Sequence, residues 1–241
     1  MARRQSFLIP ERRQFLKESA GLGAAVMLAG CKDQDKSVTA NIRTALQNWN
    51  DGAQAALFDG SRLAETYSEK DITDPFPFNA FYKVTEIPDV PEAGYALQLG
   101  GLIDNKESWT LERLRKLPQV SQITRHVCVE GWSAIGKWGG VRFSEFLALV
   151  GADTTAKYIG FTCADKYYTS IDMATALHPQ TLLALTFRDE VLPAKYGFPM
   201  KLRMPTKLGF KNPKHIMSVF VTNDYPGGYW EDQGYNWFSG L

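Results

Sequence analysis

Apolar and polar residues alternate from Tyr95 to Gly100, and again from Ser121 to Val129, where Ile123, Val127 and Val129 flank Arg125. A period of two predicts half-buried strands in both places. Met200–Pro205 alternates in the same way, while Tyr158–Cys163, Leu182–Phe187 and Ile216–Val221 read as further short strands. Leu102–Asp104 continues the first strand after a Gly-Gly break. Helical spacing appears in Thr44–Leu57 and in Thr110–Leu117, where Thr110 is a candidate N-cap and Pro118 a stop. Ser144–Val150, closed by Gly151, and Ile171–Leu177, with Asp172 at its start, predict two more short helices. Pro75 and Pro77, then Pro88 and Pro91, mark loops, and Arg188-Asp189-Glu190 suits a turn. Short strands mixed irregularly with short helices predict an α+β fold, mixed β-sheets in a single domain, and not a doubly wound alternation.

The amino-terminal residues break this pattern. Glu11-Arg12-Arg13-Gln14-Phe15-Leu16-Lys17 has the order of a twin-arginine export signal, and Ala20–Gly30 is an uncharged Gly/Ala-rich segment too short for an ordinary membrane span. Leu28-Ala29-Gly30-Cys31 overlaps it with the pattern of a lipobox, in which Cys31 would be the lipidated mature terminus. These features divide the chain into a signal segment (1–31), an N-terminal tether or helix (32–73) and a folded domain (74–241). They place the mature protein outside the cytoplasm, in the periplasm, with a membrane anchor at Cys31 if it is acylated, and imply the twin-arginine machinery as an export partner. The net charge of +1, from 27 basic and 26 acidic residues, gives no support for nucleic-acid binding. The hydrophobic content of 44% is enough for a sizeable core.

Of three cysteines, Cys31 belongs to the signal region, leaving Cys128 and Cys163. In an exported chain two cysteines can form a disulfide, and a reactive thiol is the other reading. Neither a Cys-x-x-Cys nor a His-x-x-x-His spacing is present to suggest zinc. A second cluster is cationic: Lys201, Arg203, Lys207, Lys211 and Lys214 fall within fourteen residues around Gly209. Such a segment suits a phosphate monoester or else a solvated basic face.

Arg125-His126-Val127-Cys128-Val129-Glu130-Gly131-Trp132-Ser133 resembles the cysteine-centred signature of the sulfite-oxidase family, particularly its small bacterial members. The resemblance extends to Asn79-Ala80-Phe81-Tyr82-Lys83, which is similar to a pterin-contacting segment of the periplasmic methionine-sulfoxide reductase branch. It continues through Tyr196–Pro205, through Thr206–Lys214 with its Gly-Phe-Lys core, and through Gly227–Trp237, so that it spans Asn79–Leu241. It implies the family's molybdopterin-binding fold and a molybdenum–molybdopterin cofactor, with Cys128 as the thiolate ligand to the metal. A soft thiolate suits a sulfur-rich metal centre and leaves a coordination position open. Gly131 would let the chain turn away behind the ligand. The resemblance further implies cofactor contacts from Asn79, Tyr82, Lys83, Cys163, Tyr196, Lys201, Arg203, Lys207, Asn212, Pro213 and Lys214, and a catalytic role for Arg125 beside Cys128.

Three positions depart from the family pattern. Tyr196 stands where His or Asn is common, Lys201 where Arg is usual, and Cys163 where a pocket Thr is found. Lys offers a point charge in place of a planar fork, and Arg203, on the same strand face, is the candidate to replace it. No residues follow Leu241 to form the additional C-terminal domain of larger members, which favours a monomeric catalytic subunit. Its electrons would come from a separate protein, a membrane haem protein or a cytochrome c. The expected activity is oxygen-atom transfer on a small molecule, with S-oxide reduction preferred over sulfite oxidation. Sulfite would want converging cations, for which Arg125, Lys137 and Lys207 are candidates. The competing reading is a non-catalytic periplasmic binding or assembly module held by a Cys128–Cys163 disulfide.

Overall fold

The computed structural model describes residues 36–241, so the twin-arginine segment and Cys31 lie outside the described residues. Lys36–Leu57 forms one helix, α1. It extends the periodicity of Thr44–Leu57 by two turns, and Leu46 and Trp49 are exposed on it. The other compact unit, Gln54–Leu241, holds the sheets.

Ten strands are described: β1 (Ala96–Gly101), β2 (Trp109–Thr110), β3 (Val120–Val127), β4 (Ser133–Arg142), β5 (Tyr158–Cys163), β6 (Tyr168–Asp172), β7 (Leu182–Phe187), β8 (Glu190–Val191), β9 (Lys201–Arg203) and β10 (Ile216–Thr222). They make two sheets. One runs β2-β1-β10-β5-β6 and the other β3-β4-β7-β8, with β9 also on β7. The β1–β10 pair is parallel and the remaining pairs are antiparallel. Three short helices complete the unit: α2 (Leu111–Arg115), α3 (Phe143–Leu149) and α4 (Met173–Leu177). The α+β expectation holds.

Local chemistry sets the element ends. The Thr110 hydroxyl accepts from Arg113 N at 3.2 Å and caps α2. Asp172 ends β6 and caps α4 through Thr175 N at 2.7 Å, so the helix expected from Ile171 starts two residues later. The helix expected from Ser144 begins one residue earlier, at Phe143, with Arg142 at its N-cap. Leu102–Asp104 contributes a single bridge, Ile103 to Ala152, and not a continued strand.

The larger core cluster joins Leu97, Phe143, Phe146, Ile159, Phe161, Leu183, Leu202 and Val219 with their neighbours. Burying each such side chain stabilises the fold by about 1.5–3 kcal/mol. A second cluster, Phe76, Trp138, Phe187 and Tyr196, packs in edge-to-face and tilted pairs at centroid distances of 4.6–6.4 Å. β4 crosses this cluster at Gly136, where a Cβ would meet the Phe76 and Phe187 rings at 3.0 and 3.1 Å, and its other glycines admit β7. A Cβ at Gly140 would lie 2.0 Å from the Leu183 carbonyl oxygen.

Candidate functional site

Strand β3 delivers Cys128 to the lining of a cleft. Its last residues alternate, with Thr124 and His126 buried and Arg125 exposed between them. Cys128 follows the strand end in a tight turn: its N–H donates to Trp132 O at 2.9 Å, and Gly131 N–H donates back to Cys128 O at 3.1 Å. Gly131 adopts φ +92°, which a side chain would strain, so the expected sharp turn is present. The thiol faces the Glu130 carboxylate at 3.6 Å, and that carboxylate also accepts from Trp132 Nε1 at 2.8 Å. Burial, ahead of the Glu130 charge, raises the Cys128 thiol above its ordinary pKa. Cys128 and Cys163 are both buried and free, so the disulfide behind the non-catalytic reading is not formed.

The cleft gathers Asn79, Tyr82, Cys128, Lys201, Asn212 and Lys214. Six of the expected site residues, from four parts of the sequence, therefore meet. Gly197 and cis-Pro199 precede β9, which carries Lys201 into the protein interior. Lys201 is 3% exposed, with its ammonium 5.5 Å above the Trp138 ring. Among the described residues it has neither a carboxylate partner nor a hydrogen-bond acceptor. Burial, then the nearby charges of Lys214 and Arg203, pull it well below the ordinary lysine pKa. Lys214 is also buried, and burial lowers it to about 8. Its ammonium donates to the backbone oxygens of Asn79 at 2.8 Å and Lys195 at 3.4 Å. Asn212 is fixed by Met204 N–H, which donates to its side-chain oxygen at 2.7 Å, and by its own amide donation to Leu208 O at 3.0 Å.

His126 lies beneath the cleft. Its Nε2 is 3.4 Å from the Asn79 amide nitrogen, and a Cβ on Gly209 would meet that same Nε2 at 2.6 Å. Burial, then Lys201, keeps the imidazole neutral, and its Nδ1 is buried without a partner among the described residues. His215 supports Tyr82 from the other side. Its Nδ1 faces Phe198 O at 2.5 Å and its Nε2 the Tyr82 hydroxyl at 3.1 Å. With Nδ1–H donated to the carbonyl, Nε2 accepts from Tyr82 and fixes the ring.

The remaining expected residues sit elsewhere. Arg125 points out of the sheet, 3.8 Å from Glu65 and over the Tyr67 ring, and does not line the cleft. The reason is the strand period, which places it on the face opposite Thr124 and His126. Arg203 is fully buried behind the site, donating to Thr124 Oγ1 at 3.0 Å, Arg125 O at 2.6 Å and Asn212 Oδ1 at 3.2 Å. It braces β9 against β3 and leaves Lys201 as the cleft cation of that strand. Lys207 is outside the cleft lining; Asp172 neutralises it at 3.2 Å, and its ammonium donates to Phe238 O at 2.8 Å. Lys211 is likewise paired with Glu231. Tyr196 donates to Phe76 O at 2.7 Å within the aromatic core, Pro213 O accepts from Leu202 N–H at 3.0 Å, Lys83 is exposed, and Cys163 is buried in the wall beside the cleft. Lys137 is held on the surface between Glu69 and Asp189. The cations suggested for sulfite do not converge.

Sequence reasoning missed Glu130, Asp165, Tyr167, Phe210, Trp230 and Tyr235, all of which line the cleft. Glu130 was within reach, two residues beyond Cys128. Asp165 and Tyr167 sit in a turn after β5 that carries no local signal. Burial raises the Asp165 carboxyl above its ordinary pKa.

This donor set fits a large anionic, sulfur-rich metal cofactor. A buried cation without a counter-charge lacks its anion, and Lys201 and the half-compensated Lys214 are two such groups in one cleft. A thiol in its lining supplies one soft ligand.

Comparison with known proteins agrees. Residues 84–230 match the model of the oxidoreductase molybdopterin-binding domain. A putative protein-methionine-sulfoxide reductase subunit, YedZ1, of Azospira oryzae is 59% identical over 232 residues, which cover 96% of this chain and 88% of that one. The protein-methionine-sulfoxide reductase catalytic subunit MsrP of Xanthomonas axonopodis is 31% identical, covering 96% and 77%. The sulfane dehydrogenase SoxCD of Paracoccus pantotrophus shares the fold, with a TM-score of 0.54 at 19% identity over 57% of this chain and 40% of that chain.

Proposed function

Because this chain belongs to the oxidoreductase molybdopterin-binding family, of the sulfite-oxidase type, we propose that it reduces neutral S-oxides by oxygen-atom transfer, with Cys128 as the protein's ligand to molybdenum. The protein is an enzyme that uses a molybdenum–molybdopterin cofactor. The observation that carries the fuller reading is the meeting of the Cys128 thiol and the uncompensated Lys201 ammonium in one cleft.

In this reading Lys201 and Lys214 bind the cofactor's phosphate, and Asn79, Tyr82 and Asn212 orient the pterin through their fixed polar atoms. The bound cofactor supplies two-electron oxygen-atom transfer at the metal. Reduction of an S-oxide consumes two electrons and two protons and yields a sulfide and water. Asp165, whose carboxyl burial biases toward the protonated form, is the lining group suited to hold one of those protons. Charge favours a neutral substrate: the Glu130 carboxylate lies 3.6 Å from the Cys128 sulfur, and Arg125 faces away. A sulfite dianion would meet repulsion there. The relatives' names, protein-methionine-sulfoxide reductase subunits, support the same direction.

The supply of electrons falls to a separate protein, a membrane haem protein or a cytochrome c, consistent with relatives named as subunits. We place the domain outside the cytoplasm after twin-arginine export directed by Arg12-Arg13, with Cys31 as the lipidated terminus; the N-terminal tether or helix expected over 32–73 is shorter than that span, because the compact unit already begins at Gln54 and Thr66 bridges to Thr124. No helix among the described residues is long and apolar enough to cross a membrane. Lysine in place of both arginines would retain folded enzyme in the cytoplasm, and intact mass would reveal the Cys31 acyl chains.

Cys128→Ser, made in a cofactor-competent host, is the central test. The fold and most of the pterin should persist, while activity falls to near background and the Mo(V) electron paramagnetic resonance signal changes. Cys163→Ser should leave that signal alone. An unchanged signal in Cys128→Ser would remove the assignment.

A further inference from the structure

Six aromatic rings from four separate parts of the chain form one continuous belt. Phe210 touches Tyr235 at 5.8 Å, Tyr235 touches Trp230 at 5.2 Å, and Trp230 touches Tyr229 at 5.2 Å. Tyr229 then meets Phe81 at 4.7 Å, and Phe81 meets Tyr167 at 5.7 Å. All but Tyr229 line the same cleft as Cys128. Two of them, Phe81 at 37% and Tyr235 at 41%, stay exposed at the opening.

This belt is held in place by buried charge. Phe210 precedes Lys211 and Trp230 precedes Glu231, and these two charged residues form an ion pair with side chains 1% and 0% exposed. The Lys211 ammonium also donates to Ser170 O at 2.6 Å, and the Glu231 carboxylate accepts from Thr169 Oγ1 at 2.6 Å. Both anchors are on β6, so the two wall segments are pinned to one strand. Tyr168 Oη donates to Asp232 at 2.6 Å and Tyr229 N–H to Tyr168 O at 2.8 Å, which adds two more ties from the same strand. Exposed rings at a rigid cleft mouth add little to folding. They are placed to meet an apolar group that enters the cleft.

We propose that this belt is the specificity wall of the enzyme: it reads the apolar arm of an S-oxide whose sulfur is presented to the Cys128 end of the cleft, and so selects S-oxides bearing an aryl or long alkyl group over small ones. The proposal rests on the reading of the site as an S-oxide reductase. Ring faces and edges make favourable contacts with apolar groups and with sulfur. A small S-oxide such as dimethyl sulfoxide reaches the reacting end without filling the belt, while methyl phenyl sulfoxide fills both.

The test uses cofactor-loaded enzyme and Tyr235→Ala, a ring at the rim. The ratio of kcat/KM for methyl phenyl sulfoxide to that for dimethyl sulfoxide should fall about fivefold, the size of one lost aromatic contact. Tyr235→Phe, which restores the ring without the hydroxyl, should return the ratio to within about twofold of the wild type. In parallel, calorimetry of the product methyl phenyl sulfide should show about fivefold weaker binding to Tyr235→Ala. A ratio unmoved by Tyr235→Ala overturns the wall while leaving S-oxide reduction intact. Turnover of neither S-oxide by the wild type overturns the reductase reading instead, and the sulfide titration then decides the wall: equal binding to wild type and variant rejects it.

Discussion

Four buried lysines lie within fourteen residues, and they divide into two pairs with opposite chemistry. Lys207 and Lys211 are each met by a carboxylate, Asp172 and Glu231. Lys201 and Lys214 line the cleft and have none within ion-pair distance among the described residues, and burial lowers both below the ordinary lysine pKa. Depth alone does not separate the pairs. What separates them is whether the chain supplies the counter-charge itself. The first pair completes the fold, and the second awaits an anion from outside. A run of cations in sequence is therefore two features, and the neutralising partner, not the cation, says which is which.

The sharpest way to break this distinction is to remove a counter-charge. Glu231→Ala would strand the Lys211 ammonium in the interior and should destabilise the protein by about 3–5 kcal/mol, read as a fall in urea midpoint. Replacing both members by apolar residues, Lys211→Met with Glu231→Leu, should recover most of that loss. A cost below about 1 kcal/mol for Glu231→Ala would mean the pair is not the structural unit described here.

Lys214 gives the opposite pair a pH signature. Burial lowers it from 10.5 to about 8 in the folded chain. Between those values the unfolded chain holds a proton that the folded chain lacks, so the stability of cofactor-free protein rises with pH. The gain approaches about 3 kcal/mol across the window, and the full penalty is present below pH 8. Lys214→Met should remove the Lys214 share of this slope and leave the share of Lys201, which burial also lowers. Loading the phosphate-bearing cofactor should flatten the slope, because an anion beside the ammonium restores its affinity for the proton. A slope that Lys214→Met leaves unchanged does not come from Lys214.

For Lys201 the two readouts should move in opposite directions. Lys201→Met places an apolar chain of similar length over Trp138 and removes a buried charge that no carboxylate among the described residues pairs with. The cofactor-free fold should be no less stable. Pterin retention should nonetheless fall by roughly tenfold or more, the loss of a charged hydrogen bond of about 1.5–3 kcal/mol. Full pterin content in this variant would take Lys201 out of the phosphate site.

How much of this was legible in sequence follows from the range of each signal. β5 and β7 were bounded correctly because their apolar runs are local. β4 was hidden because Gly136, Gly139 and Gly140 depress strand propensity, and the requirement for them is the approach of β7, remote in sequence. The Cys128 turn was readable from Gly131. The partners of Lys207 and Lys211 were not, since Asp172 precedes Lys207 by a whole strand layer and Glu231 follows Lys211 through β10. Nor does any local pattern announce Asp165 or the aromatic belt, which the fold assembles from separate loops.

Arg125 carries the smallest expected effect, and it tests whether the strand period or the neighbourhood of Cys128 decides a role. It lies in the segment with the strongest family resemblance, which suggested a catalytic cation. In β3 it alternates with Thr124 and His126, whose side chains are buried, and so its guanidinium points to solvent with a side chain 50% exposed. Its ion pair with Glu65 is long at 3.8 Å, and its centre lies 5.2 Å from the Tyr67 ring centroid. Exposed pairs of this kind contribute about 0–1 kcal/mol, and the contact over Tyr67 adds about as much at a surface site. Its backbone carbonyl does more than its charge, since it accepts from the buried Arg203 at 2.6 Å, and that bond survives any side-chain change. Arg125→Ala should therefore lower stability by no more than about 1 kcal/mol, with that loss shrinking in high salt, and pterin content should stay at the level of the wild type. A large fall in pterin content would show that Arg125 turns toward the cleft when the cofactor is bound, and that position relative to Cys128, not strand face, sets its role.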